Sequence, residues 1–291
     1  MDRWRLGSRI SRSVFCALAA LGLTAVSVGI AESGGRPRLR LHWEKNYLTI
    51  RGEHLPGREI SVHYLEAYCR ANSTDADWSA HTVIKHQAEK LEESADGSFI
   101  KLRDTLADGV RVIHEIRSSH DDVDLRIVAN NPTNKASEAH WAQPCIRVDR
   151  FTGADQQSYL KKSFVFLDGK LERMPTRRWA TKARYAPGQV WCPRNVPRTD
   201  VNPRPLSDLV TSNGLIGCFS ADESMVFATA LEPYQELFQG VIVCLHADFR
   251  IGGLRPGETK RIRGKIYLVP NDIPALLDRY ARDFPEHAGA R

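Results

Sequence analysis

Apolar and β-branched residues in this chain recur with a period of two, run after run, and almost nowhere with the period of a helix. The clearest runs are LRLHW (Leu39 to Trp43), YLTIRG (Tyr47 to Gly52), EISVHYLEAYC (Glu59 to Cys69), SFIKLRDTL (Ser98 to Leu106), GVRVIHEIR (Gly109 to Arg117) and DVDLRIVAN (Asp122 to Asn130). Side chains on a strand alternate between faces, so each run predicts a strand with one face in a core. Beyond the turn NNPTN come HWAQPCIRVDRF (His140 to Phe151), KSFVFLDG, GLIGCFS, MVFATAL, GVIVCLH and TKRIRGKIYLV (Thr259 to Val269). Asp-Gly and Gly-Gly pairs separate several of them, as hairpins require. With no βαβ rhythm, the expectation is an all-β fold: one large antiparallel β-sandwich over residues 32–291, with a short C-terminal helix and a long basic loop. For that helix Asn271 or Asp272 can cap, Pro274 suits the first turn, and Ile273, Leu277, Tyr280 and Phe284 share a face before Pro285. The segment Thr82 to Ser94 reads as a strand running into a short helix. Lys260, Arg261, Arg263 and Lys265 alternate as on the exposed face of an edge strand.

The N-terminus carries an Arg-containing stretch to Arg12, an apolar run from Val14 to Ile30, and small residues Gly29 and Ala31 before Glu32. This is the pattern of a Sec-type signal peptide over residues 1–31, and of export to a periplasmic or extracellular space. The alternative is an uncleaved signal anchor. Nothing after Ile30 is long and apolar enough to cross a membrane.

The full chain has 41 Lys+Arg against 35 Asp+Glu. Without Asp2, Arg3, Arg5, Arg9 and Arg12 it has 37 against 34, a net of +3. The stretch from Leu171 to Leu206 alone holds eight cations against Glu172 and Asp200, together with six prolines and the aromatics Trp179, Tyr185 and Trp191. Long connections without regular structure are functional or disordered, and repeated prolines lower the cost of ordering one. The stretch therefore reads as a binding loop for an anionic partner, the alternative being a solvated excursion. Charge this local is not a nucleic-acid-binding composition.

Leader removal takes Cys16 and leaves Cys69, Cys145, Cys192, Cys218 and Cys244, an odd number. Cys218 and Cys244 sit in apolar strand-like runs that suit buried thiols. Cys145 and Cys192 are the pair to suspect of bridging, since joining them ties the basic loop to HWAQPC. There is no CxxC, HExxH, EF-hand loop, GxSxG or Gly-rich phosphate loop. No metal site, serine-hydrolase triad or nucleotide cofactor is therefore expected.

In HWAQPCIRVDRF, Gln143 and Arg147 suit hydroxyls or a carboxylate, His140 suits proton transfer, and Trp141 suits a sugar face. A structural strand with a core Trp explains the segment equally well. His63 and Glu66 fall on opposite faces of an ideal strand and meet only across a bulge. His114 shares a face with Val110, Val112 and Ile116, as a hydrogen-bonded inner-face histidine would. His246, Asp248 and Arg250 share one face, as a polar cleft wall or a solvated face.

The succession DGVRVIHEIRSSHDDVDLRIVANNPTNKASEAHW, with the later GLRPGETKRIRGKIYLV (Gly253 to Val269), resembles the galactose-mutarotase-like β-sandwich group of carbohydrate-active proteins. The resemblance covers about half of the mature chain, rests on strand rhythm and turn chemistry, and implies sugar handling. The group's spaced catalytic His and Glu residues have no residue-by-residue match here. The leading expectation is an exported carbohydrate-binding or carbohydrate-active protein recognising an acidic or sulfated glycan, without a cofactor. Arg177, Arg178, Arg184 and Arg147 would bind acid groups, and Trp141, Trp179 and Trp191 would stack on sugar rings. If it is catalytic, β-elimination of a uronic acid comes first and epimerisation second. Elimination needs a base, His140 or Tyr185, and a stabiliser of the developing dianion, among Arg178, Arg184, Arg147 and Gln143. The alternatives are a non-catalytic envelope or adhesive binding protein, and a structural protein whose loop folds against a partner.

Overall fold

The computed structural model describes residues 38–72, 78–179, 189–201, 206–240 and 242–287. The leader and two loop candidates, Arg184 and Tyr185, lie outside the described residues. In chain order the strands are β1 (Arg40–Glu44), β2 (Tyr47–Arg51), β3 (Glu59–Cys69), β4 (Val83–Ile84), β5 (His86–Glu93), β6 (Phe99–Leu106), β7 (Arg111–Ser118) and β8 (Asp122–Asn130). They continue as β9 (Trp141–Arg147), β10 (Ser163–Leu167), β11 (Lys170–Arg173), β12 (Val190–Trp191), β13 (Ile216–Phe219), β14 (Met225–Glu232), β15 (Tyr234–Gln239), β16 (Cys244–Arg250) and β17 (Thr259–Pro270). Two helices are named here, α1 (Asp149–Thr152) and α2 (Ile273–Asp283). Among the described residues all strand ladders are antiparallel, and they build two sheets. The first runs β1-β2-β3-β9-β16-β15-β12 with β4 attached to β3, and the second runs β11-β10-β13-β14-β17-β8-β7-β6-β5.

The period-two pattern is what joins the sheets. On β2 and β3, Leu48, Ile50, Ile60 and Val62 point into the same apolar cluster as Ile100, Leu102, Val112, Ile116, Leu125 and Ile127 of β6–β8. On β9 and β16 the core-facing residues are Ala142, Ile146, Leu245, Ala247 and Phe249. The residues between them in sequence therefore occupy the outer face of the first sheet.

One polar network is buried between the sheets. His114 is fully buried, with Nδ1 2.9 Å from the Tyr64 hydroxyl and Nε2 3.0 Å from that of Tyr68. Tyr68 donates to Asp104 at 3.0 Å, and His86 Nδ1 lies 2.7 Å from the same carboxylate. Every member has a partner, as burial demands. His114 is the satisfied inner-face histidine its alternation implies.

Three local expectations are corrected. Residues 86–93 form the extended strand β5 at the margin of the second sheet, without a helix; the side chains of Glu89 to Glu93 are exposed on both faces, which erases the alternation. β17 is an interior strand between β14 and β8, so Arg261, Arg263 and Lys265 face outward from the middle of a sheet rather than from an edge, and Lys260 falls on the alternate face with Ile262. The C-terminal helix is capped by Asp272, which accepts from the Ala275 N–H at 3.0 Å. Its buried residues are Leu276 and Tyr280, followed by Phe284, packed on Phe164, Val226 and Tyr267 of the second sheet's outer side, while Ile273 and Leu277 flank this stripe.

Candidate functional site

The outer face of the first sheet carries four rows of side chains set by strand register. At one end Arg147 lies opposite Ser61 of β3 and Cys244 of β16. In the next row Cys145 lies opposite His63, and the unbroken register of β9 on β16 sets it against His246. Then Gln143 stands between Ala67 and Asp248, with Glu236 of β15 beyond. Trp141, Cys69 and Arg250 form the last row.

The first rows hold the accessible part of this face. Ser61, His63, Glu66 and Arg147 are half-buried, and Tyr47 of β2, directly opposite His63, is exposed and stacks on its ring at 4.8 Å. The ladder of β3 on β9 shifts between His63 and Ala67, the signature of a bulge. That shift brings Glu66 onto the same side as His63, where it accepts from Gln143 Nε2 at 2.6 Å. Burial lowers the His63 pKa; Arg147 adds to the lowering and Glu66 opposes it. The imidazole is therefore neutral near pH 7 and able to accept a proton. Arg147 forms no ion pair among the described residues, and its Nε is buried without a hydrogen-bond partner.

Deeper in the face, Cys145, Cys244, His246, Asp248 and Glu236 are all at most 2% exposed. Cys244 Sγ is 3.4 Å from His246 Nε2, and His246 Nδ1 is 3.6 Å from Asp248 Oδ1. Burial pushes the Asp248 carboxyl up, against the opposing pull of His246. The Cys145 thiol is pushed up by its contact with Cys244 and by burial.

At the far end the basic loop returns an acid to the sheet. Asp200 is buried and accepts from Arg250 Nη1 and from the Asn72 N–H, both at 3.2 Å, with His140 Nδ1 at 3.6 Å. Arg250 also donates to Gln235 at 2.6 Å.

These positions separate the expected site residues. His140 and Arg147 are seven residues apart along an extended strand, roughly 23 Å at about 3.3 Å per residue. They cannot work on one sugar carbon. Trp141 is fully buried and donates from Nε1 to the Arg70 carbonyl at 3.2 Å. Trp191 is fully buried as well, with Trp179 packed 6.0 Å from it. Neither Trp141 nor Trp191 offers an open ring face. Arg177 pairs with Asp168 and Glu172, Arg178 with Asp208 at 2.7 Å, and Arg198 with the Ser207 carbonyl. The described loop cations are thus largely matched within the chain, whereas Arg147 is not. Cys145 is not bridged to Cys192: all five described cysteines are free and buried, Cys192 among Val190, Val196, Val201 and Phe238. Gln143, Arg147, His63 and Glu66 do come together. Tyr47 and Glu236 carry no motif of their own, and only hairpin and ladder pairing reveal them.

A cavity of about 1140 Å³ opens elsewhere, between α2, residues 210–214 and the turn at Asp168–Gly169. It contains His287, whose ring nitrogens are both engaged, one by Tyr280 and the other by Glu232 at 2.5 Å. That leaves no ring nitrogen to act on a bound molecule, so the sheet face is the better site.

No protein-family model matches the chain, and no curated protein matches it in sequence. Among solved structures it is similar to a galactose mutarotase-like protein from Lactobacillus casei, at 8% identity and a TM-score of 0.42, over 79% of this chain and 99% of that one. It is similar to a putative aldose 1-epimerase from Escherichia coli at 10% identity and a TM-score of 0.41, over 80% and 99%. It also matches an alpha-N-acetylgalactosaminidase from Bifidobacterium bifidum at 9% identity and a TM-score of 0.44, over 84% of this chain and 37% of that one. The chain is a two-sheet antiparallel β-sandwich.

Proposed function

We propose that this chain is an exported carbohydrate-active protein that binds an acidic sugar on the outer face of its first sheet, with Arg147 as the receptor for the sugar carboxylate and His63 as the base. The observation that carries this reading is Arg147: a half-buried guanidinium with an unpartnered Nε, one register step from a histidine whose pKa is lowered. A guanidinium in that state suits a carboxylate, since paired N–H donors match its two oxygens. Gln143 and Glu66 supply amide and carboxylate groups for neighbouring hydroxyls, and exposed Tyr47 supplies an apolar ring.

The reaction this arrangement suits is β-elimination. His63 takes the proton from the carbon bearing the carboxylate, and the electron pair moves into that group, which Arg147 stabilises as it gains charge. The bond from the next carbon to the glycosidic oxygen then breaks, leaving a double bond in the sugar, and the departing oxygen takes a proton from water or from the protonated His63 to leave as a hydroxyl. In this reading His63 takes the place of His140 as base, Arg147 and Gln143 take the roles expected of them, and Tyr185 lies outside the described residues. The test is ultraviolet absorbance of unsaturated product across a panel of uronate polysaccharides, with His63→Asn and Arg147→Met as controls. Product from the wild-type chain that is lost in both variants supports the reading. Absence of product from every polysaccharide, with no retention of any of them by the wild-type chain, overturns it.

A further inference from the structure

Beneath the accessible patch, three metal-ligating atoms from two strands meet. Cys145 Sγ, Cys244 Sγ and His246 Nε2 or Nδ1 lie within 4.8 Å of one another, all in residues at most 2% exposed. The convergence is made by register: His246 stands opposite Cys145, and Cys244 is two residues along β16 on the same face. We propose that Cys145, Cys244 and His246 form a zinc(II) site at the centre of this sheet face, with Asp248 as the positioning residue for His246. The proposal does not rest on the glycan reading.

Distances decide first. With Zn–S near 2.3 Å and Zn–N near 2.0–2.1 Å, tetrahedral geometry separates sulfur from nitrogen by about 3.6 Å. The 3.4 Å between Cys244 Sγ and His246 Nε2 is already close to that value. The orphaned polar atoms point the same way. His246 Nδ1 and both Asp248 oxygens are buried without hydrogen bonds, and they face one another at 3.6 Å. A histidine that ligates through Nε2 gives its Nδ1 proton to such a carboxylate, which fixes tautomer and ring orientation. Space is reserved as well: a Cβ added to Gly240 would collide with Cys244 Sγ and lie 3.2 Å from His246 Nε2. Charge points the same way, because two thiolates beside the buried Asp248 and Glu236 form an anionic cluster whose burial would be costly without a divalent cation to offset it. Three protein ligands leave a fourth position for water or an oxygen ligand.

The test uses the full chain, purified under reducing conditions, stripped with chelator and titrated with zinc sulfate and separately with cobalt(II) chloride. The expected result is about one zinc per chain by elemental analysis, and a thiolate-to-cobalt charge-transfer absorption. Cys145→Ser and Cys244→Ser should abolish that absorption. Asp248→Asn, which removes no ligand, should weaken zinc affinity by about 10–100-fold, and Gly240→Ala should weaken it by pushing the Cys244 thiol out of place while leaving both cysteines in the chain. If the serine variants do not fold, the wild-type titration and Asp248→Asn still decide. A wild-type chain that binds neither ion while both thiols react freely overturns the proposal, as does a Cys145–Cys244 disulfide in protein never exposed to oxidant. Zinc binding without glycan turnover leaves this site standing and sinks only the catalytic reading.

Discussion

Arg147 is where a single change separates recognition from scaffolding. Replacing it by Met keeps most of the apolar stem and removes the guanidinium, so the sheet should hold while the anion receptor is lost. Retention of a uronate polysaccharide should fall by about 10-fold or more, the scale of one charge-assisted contact of 1.5–3 kcal/mol. Affinity electrophoresis checks this, and unchanged mobility would remove Arg147 from the site. The same change has a second, ligand-free readout. Arg147 helps lower the His63 pKa, so in Arg147→Met the His63 titration should move upward, toward the ordinary value. In the wild type, any step that needs neutral His63 is present at pH 7 and is lost as pH falls through the lowered pKa. In the variant that loss begins at higher pH. Histidine resonances followed by NMR across pH 4.5–8 would show it. A downward shift would mean that desolvation by the new methionine outweighs the lost cation.

Elements account for most of what could be read in advance. β6, β7 and β8 alternate cleanly because one face lies on the core, and their register follows from that pattern. β5 shows no such pattern because it contributes almost nothing to the core. The His63–Glu66 pair needed a bulge, and alternation can state that condition without locating it. The convergence of Cys145, Cys244 and His246 is invisible for a different reason: about a hundred residues separate the two strands in sequence, and only the β9–β16 ladder makes them neighbours. The core network predicts an acid sensitivity at this scale. Burial alone would raise the Asp104 pKa, but hydrogen bonds from His114 and His86 outweigh it and hold the carboxyl well below the usual range. A depressed carboxylate pKa contributes stability that is present above the unfolded value near 3.9 and lost as pH falls toward the folded one. Asp104→Asn should therefore be less stable than wild type at pH 7, with the gap closing below about pH 4. Urea unfolding midpoints at pH 7 and pH 3.5 measure this, and a gap that widens on acidification contradicts it. For α2, Asp272→Ala should cost about 1 kcal/mol through the lost cap. Leu276→Ala should cost about 2–4 kcal/mol through a cavity against the second sheet.

On the scale of the whole molecule, the described part of the basic loop is tied to the first sheet less by its described cations than by one of its two acids. Asp200 reaches over the far row to meet Arg250 and the Asn72 N–H, while its carbonyl accepts from Gln235. β12 adds a second tie by pairing with β15. Removing the carboxylate leaves Arg250 with Gln235 but without its counter-charge, and leaves the Asn72 N–H without an acceptor. Breaking a buried pair costs about 3–5 kcal/mol, and the one-fifth exposure of Arg250 places this case at the low end, about 3 kcal/mol. Because Val196, Val201 and Cys192 keep their own apolar cluster with Phe238, that cost should appear first as local opening rather than global unfolding. Asp200→Ala should therefore speed amide exchange across residues 192–201 by about 100-fold, equivalent to about 3 kcal/mol, while exchange in β6–β8 stays unchanged. Asp200→Asn, which can still accept from Asn72, should lie between the two. If exchange in 192–201 does not change in Asp200→Ala, the apolar cluster and β12 hold the loop by themselves and Asp200 serves the polar face instead, where His140 is its nearest histidine.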